Sequence, residues 1–219
     1  QHSVLESIGF SGRSARADVS KASPTVVLAI PSFPTLWRGL CGGAAPKDSG
    51  IVHGIVRDVS DTPLPGATVG VTWKDVSYQR SKGIDWKDMA GTTVADSTGR
   101  YALCGVPVDV VIHLAASAHS MVSGAVEQAP LTRRIARQDF RLARNDSSGQ
   151  LAARGTVTGT ISGEGGQPMA GAIVVVDGAD EVRSGEDGRF IVRDVPAGTR
   201  QMGVRAIGSA PLTAVVDVR

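Results

Sequence analysis

Asp187-Gly188-Arg189-Phe190-Ile191-Val192-Arg193-Asp194-Val195-Pro196-Ala197-Gly198 reads as turn, strand, turn. Asp-Gly supplies a tight reversal, because glycine takes positive φ at little cost. Phe190 and Val192 alternate with Arg189 and Arg193, the period of a half-buried strand. Val195-Pro196-Ala197-Gly198 closes the strand, since proline has no N–H to give a central ladder. The phrase has an earlier copy, Ser97-Thr98-Gly99-Arg100-Tyr101-Ala102-Leu103-Cys104-Gly105-Val106-Pro107. One copy predicts a hairpin; two in register with other matches predict a repeat.

Working outward, each copy is preceded by the same order of signals. Ile51 to Val59 is a strand, Pro63-Leu64-Pro65-Gly66 a turn, and Ala67 to Trp73 a second strand. Downstream, Gly155 to Ile161, Gln167-Pro168-Met169-Ala170-Gly171 and Ala172 to Asp177 repeat that order. The predicted units are 51–143 and 153–219, separated by Asn145-Asp146-Ser147-Ser148-Gly149 and preceded by the linker-like Gly42 to Gly50. The first unit carries a polar insertion from Lys74 to Gly91 and ends on an alternating strand, Arg137 to Leu142. Residues 1–42 hold too few strands for a sandwich of their own. They end on Thr35 to Leu40, which reads as one helical turn.

Composition supports an all-β chain. The 219 residues include 27 glycines and 11 prolines, with few aromatics. Valine and threonine cluster in short runs, and long helical periodicities are absent. The net charge of +2 is spread among scattered acids and bases, not the basic stripe of a nucleic-acid surface. No apolar run reaches the length of a membrane span. Gln1 to Phe10 lacks a basic start followed by an apolar block, so the expectation is a mature product or a segment of a longer chain.

The paired phrases resemble the carboxypeptidase regulatory-like family, also described as transthyretin-like or peptidase-associated domains. The residues that carry the resemblance are Gly54-Ile55-Val56-Arg57-Asp58, Pro63 to Val69, Ser97 to Tyr101 and Gly105-Val106-Pro107 in the first copy. The second supplies Gly159-Thr160-Ile161, Met169 to Val174, Asp187 to Phe190 and Val195 to Gly198. The resemblance implies tandem Greek-key β-sandwiches, Ig-like or transthyretin-like; residues 1–42 then read as an N-terminal partial unit. It also implies an extracytoplasmic setting: bacterial surface, extracellular space or periplasm. Such units are accessory and non-catalytic, so the resemblance brings no active residues, no enzyme activity and no cofactor.

Few residues carry candidate chemistry. Cys41 and Cys104 are the only cysteines, and an even count in an extracytoplasmic-looking chain suggests a disulfide tying the linker to the central strand of the first unit. The alternative is two buried free thiols. His2, His53, His113 and His119 show no metal-ligand spacing, and no zinc site is expected. Asp177, Asp180, Glu181, Glu186 and Asp187 are either a calcium site or solvated turn acids, and their spacing matches no calcium loop. Trp73, Tyr78 and Trp86 either form an exposed aromatic surface for a glycan or protein ligand or cover their own sandwich.

The copies differ at their ends. The first unit finishes with Arg137 to Leu142, and the second has no equivalent after Ala214 to Val218. Ser3 to Gly9 resembles Gly203 to Gly208, and Ala15 to Val19 resembles Ala214 to Val218. Thr25-Val26-Val27-Leu28-Ala29-Ile30 then supplies the final strand that the second unit lacks. Either the sequence is a window on a longer array, or this segment of one copy completes a neighbour's second unit. The second case makes a homopolymer, since a head-to-tail contact that does not close builds a filament. The functional expectation is therefore a non-enzymatic structural module, with a filament subunit as its sharper form. The alternatives are a ligand- or glycan-binding accessory region of an outer-membrane transporter or adhesin, or the regulatory domain of a secreted carboxypeptidase.

Overall fold

The computed structural model describes residues 31–79, 83–145 and 153–219. Thr25 to Ile30, the rest of residues 1–30 and most of the second linker lie outside the described residues. Among the described residues one helix, α1 (Phe33–Leu40), precedes a run of strands. It exceeds the single turn expected, because Pro34 sits in its first turn, where a missing N–H costs nothing. No helix among the described residues is long and apolar enough to cross a membrane.

The first sandwich comprises β1 (Ser49–Asp58), β2 (Thr68–Gln79), β3 (Gly83–Val94), β4 (Arg100–Pro107), β5 (Ile112–Ala118), β6 (Met121–Val122), β7 (Val126–Gln128), β8 (Ile135–Arg137) and β9 (Phe140–Arg144). The path runs β3-β2-β5-β6-β9-β1-β4, with β7 on β5 and β8 on β1. The short β6 joins the two layers at one side. Between the layers lie Val52, Val56, Val69, Val71, Leu103, Ile112, Leu114, Phe140 and Leu142, all buried. In β5 the alternation is complete: Ile112, Leu114, Ala116 and Ala118 face in, and His113 faces out.

The second sandwich comprises β10 (Arg154–Thr160), β11 (Ile173–Val176), β12 (Val182–Arg183), β13 (Arg189–Pro196), β14 (Gly198–Arg205) and β15 (Leu212–Val218). A two-stranded layer, β10-β13, faces a four-stranded layer, β12-β11-β14-β15. Val174, Val176, Phe190, Val192, Val195 and Val204 fill the space between them. The repeat extends to individual hydrogen bonds. Val56 N–H donates to Gly99 O at 2.8 Å, and Ile161 N–H donates to Gly188 O at 2.8 Å. Leu64 N–H donates to Val56 O at 3.0 Å, and Met169 N–H donates to Ile161 O at 2.9 Å.

Three local expectations change. Asp187-Gly188 does not join two paired strands. It carries the chain from β12 in one layer to β13 in the other. Gly188 holds φ at 74°, and a side chain there would run into the carbonyl of Ile161. Gly99 stands likewise against Val56 O. The glycine is needed for the positive φ and for the close approach, and both apply to a corner as much as to a hairpin. Cys104 lies on β4, which is an edge strand and not a central one. Finally, Arg137 to Leu142 is not one strand. It breaks at Gln138-Asp139, where the chain shifts along β1 between β8 and β9.

Candidate functional site

The edge of β1 shows how a sandwich of this repeat is completed. β8 and β9 both run parallel to β1: Ile51 pairs with Ile135, His53 with Arg137, Val56 with Phe140 and Asp58 with Leu142. The outward polar groups of β1 are all taken. Ile51 N–H donates to Arg134 O at 2.9 Å, and His53 O accepts from Gln138 N–H at 2.9 Å. Ile55 N–H donates to the Asp139 carboxylate at 3.0 Å. Every residue from Gly50 to Val56 is buried.

Among the described residues, β10 holds the same position in the second sandwich without that cover. Register fixes the equivalence: Gly54 pairs with Tyr101 as Gly159 pairs with Phe190. Ile51, His53 and Ile55 then correspond to Thr156, Thr158 and Thr160. Among the described residues the only strand beside β10 is β13, so the outward backbone groups of these threonines face no strand. Burial records the same difference. Val52 and Val56 are fully covered, while Val157 and Ile161 are half-buried and each second residue of β10 is exposed. An open edge of this kind is a template for strand addition.

A second surface lies on the β2–β3 hairpin. The expected polar insertion is a continuation of both strands, paired without a break from Thr68↔Val94 to Gln79↔Gly83. Trp73 pairs with Met89 and Trp86 with Val76. The odd step from Trp73 to Val76 sends the two indoles to opposite faces. Trp73 packs against the core, while Trp86 is 62% exposed. One indole thus lies against its own sandwich and the other stands exposed. Tyr78 continues the ladder opposite Ile84. A groove of about 690 Å³ is lined by Thr72, Lys74, Val76, Trp86, Val111 and His113 among others. Lys74 and Asp88 pair across its strands at 3.3 Å.

Cys41 and Cys104 are bonded, with their Cα atoms 5.9 Å apart, which fastens the end of α1 to β4. Arg134 stacks over the Phe33 ring at 4.1 Å and donates to Ser49 O, holding the other end of α1 near β1. Among the described residues no group of three or more His, Cys, Asp or Glu is placed to hold a metal. In the acidic cluster, Asp187 faces Arg189 at 3.5 Å and Glu181 faces Arg205 at 3.8 Å.

Some placements are invisible in the sequence. His53 is 1% exposed, and neither ring nitrogen has a partner. Burial, reinforced by Arg137 and opposed by Asp139, pushes its pKa down to about 4. Arg141 on β9 joins the two sandwiches: its guanidinium pairs with Asp61 and, at 3.0 Å, with Asp217 on β15. Arg219 adds a contact to Asp61 at 2.8 Å. The Arg141 hydrogen bond holds the Asp61 carboxyl below its ordinary range. Thr199 on β14 accepts from Arg141 N–H at 2.7 Å and donates to Asp217 at 2.7 Å. Nothing in the spacing of Arg141 marks it, because its partners lie 76 residues away on β15 and in the turn after β1.

Residues 156–219 match the family model of the carboxypeptidase regulatory-like domain, so the second sandwich carries the family's pattern. No curated protein matches the chain. Among solved structures, a streptococcal ancillary pilin is 16% identical with a TM-score of 0.31, over 80% of this chain and 61% of the pilin. The shaft pilin SpaA of Lactobacillus rhamnosus GG is 8% identical with a TM-score of 0.29, over 78% of this chain and 93% of that one. Chlorocatechol 1,2-dioxygenase from Pseudomonas putida is 15% identical with a TM-score of 0.32, over 44% of this chain and 61% of the enzyme. The chain thus spans about three fifths of the ancillary pilin's length.

Proposed function

We propose that the chain is a non-enzymatic structural module of the bacterial surface or extracellular space that accepts a β-strand along the free edge of β10. The single observation behind this reading is the difference between the repeats: β1 carries the parallel strands β8 and β9, and β10 carries no counterpart among the described residues. The proposed donor is Thr25 to Ile30 of a neighbouring copy, five of whose six residues are apolar. The donor precedes the first sandwich and the acceptor lies in the second, so the contact is head-to-tail and builds a filament unless it closes into a ring. The units 51–143 and 153–219 are the repeating sandwiches of that assembly.

The test is sedimentation and electron microscopy of the full chain beside its Leu28→Asp variant. The expected result is concentration-dependent oligomers or filaments from the natural chain and monomers from the variant. A natural chain that stays monomeric at high concentration rejects the reading.

The groove beside Trp86 favours a second role, ligand binding by an accessory region of a surface protein. An exposed indole flanked by the Lys74–Asp88 pair offers one stacking face and charged hydrogen-bonding groups, a combination that suits a sugar ring. Loss of glycan-array binding in Trp86→Ala supports this role, and no binding by the natural chain rejects it.

A further inference from the structure

The two equivalent glycines, Gly54 and Gly159, are covered by different things. At Gly54, the space a Cβ would take is held by the backbone carbonyl of Gln138. The Tyr101 hydroxyl donates to that same carbonyl at 2.5 Å, and Gln138 N–H donates to His53 O at 2.9 Å. The crossing chain is thus gripped on both sides directly above a residue without a side chain. At Gly159, the same space is held by the ring of Phe190: Cε1 and Cζ stand 2.7 Å from where a Cβ would be, and the next atom, at 3.7 Å, belongs to the same ring.

Resting on the strand-addition reading above, we infer that the Phe190 ring is a plug in the seat of the incoming strand. The strand enters parallel to β10, its backbone crosses Gly159, and the phenyl ring swings off to the position Tyr101 takes in the first sandwich. The difference in residue type fits this role. Tyr101 is anchored by its hydroxyl to the strand already present. Phe190 has no hydroxyl, so nothing polar holds its ring away from Gly159 while the edge is empty, and nothing polar is lost when it leaves. The occupant is an extended apolar segment of a second copy, Thr25 to Ile30. That segment lies within the thirty residues ahead of Pro31 that are not described, a length that spans up to roughly 100 Å when extended.

The chain has four phenylalanines, Phe10, Phe33, Phe140 and Phe190, which makes fluorine NMR of the fluorophenylalanine-labelled protein readable. The full chain carrying Leu28→Asp keeps the acceptor edge intact and the protein small. The probe is a synthetic peptide with the sequence of residues 24–32. Phe190→Leu assigns the resonance; should that variant not fold, Phe10→Leu, Phe33→Leu and Phe140→Leu assign the other three signals and leave that of Phe190. The expected result is a shift of the Phe190 resonance on peptide addition, with those of Phe33 and Phe140 unmoved.

Direction is read by cross-linking. Peptides carrying Thr25→Cys or Ile30→Cys are offered to Thr158→Cys or Ser162→Cys protein. A parallel strand favours the 25–158 and 30–162 pairs several-fold over the swapped pairs. Peptide bound with the Phe190 signal unmoved overturns the plug and leaves strand addition standing. Favoured swapped pairs overturn the parallel entry. No peptide binding overturns the acceptor edge itself.

Discussion

The same substitution at two equivalent glycines is expected to have opposite consequences. In Gly54→Ala the new methyl collides with the carbonyl of Gln138 and comes within 3.0 Å of the Asp139 carboxylate. Gln138 is held on both sides, its carbonyl accepting from the Tyr101 hydroxyl and its N–H donating to His53 O, so it cannot turn aside and β1 and the 138–139 crossing must part. Overpacking of this kind costs ~1–3 kcal/mol. The hydrogen bonds from Tyr101 and to His53 are lost with it, at ~1 kcal/mol each. The sum, ~3–5 kcal/mol, is a large fraction of a domain's stability. In Gly159→Ala the methyl meets only the tip of the Phe190 ring, which can move. Reduced freedom of the unfolded chain returns ~0.4–1 kcal/mol, so folding stability should stay within about 1 kcal/mol of the natural chain. Strand addition should nevertheless fail, because the methyl stands where the entering backbone must cross. The assay is urea unfolding joined to electron microscopy. Trp37, Trp73 and Trp86 all precede β4, so tryptophan emission reports the first sandwich, while circular dichroism reports both. A Gly54→Ala loss under 1 kcal/mol refutes the tight crossing. Filaments from Gly159→Ala refute the placement of a strand above Gly159.

Other outcomes follow from the same geometry. His53 binds its proton near pH 6.5 when unfolded and only near pH 4 when folded, so stability is full above about 6.5 and falls as the pH drops toward 4. The loss over that window is about 3 kcal/mol, seen as a falling urea midpoint that His53→Leu should flatten. Reducing Cys41–Cys104, which are 63 residues apart, should cost about 4 kcal/mol by the chain-entropy relation and lower the midpoint of the tryptophan transition. Arg141→Ala strands Asp61 and Asp217 without their shared cation. It should loosen the two sandwiches relative to each other, read as a larger radius of gyration in X-ray scattering of the monomeric Leu28→Asp chain.

Much of this architecture is legible in the sequence, because the fold repeats and its turns are chemically explicit. Pro63 to Ala67 and Gln167 to Ala172 mark the same turn, and Gly99 and Gly188 mark the same corner. A corner and a hairpin, however, demand the same glycine, so Asp187-Gly188 could not announce that its flanking strands lie in different layers. The Lys74 to Gly91 segment is polar because both its faces reach past the sandwich, which hides a continuous ladder behind a loop-like composition. His53 offers no local signal. It is buried by the crossing at Gln138, and that contact is made across 85 residues of chain.

The parallel pairing of β1 with β9 has a mechanical consequence. The first strand of the sandwich enters at Ser49 and the last leaves at Arg144, and because they run side by side in one direction these points lie at opposite ends. Tension along the chain therefore slides β1 against β9 and loads their hydrogen bonds together, instead of peeling them one at a time as in an antiparallel pair pulled from one end. The disulfide at Cys41 diverts part of that pull into β4, the other neighbour of β1, so the load is spread over both sides of the strand. Arg141, on the strand that bears the load, hands it to β14 and β15 of the next sandwich. A fibre of such units would resist stretching at every joint by shear.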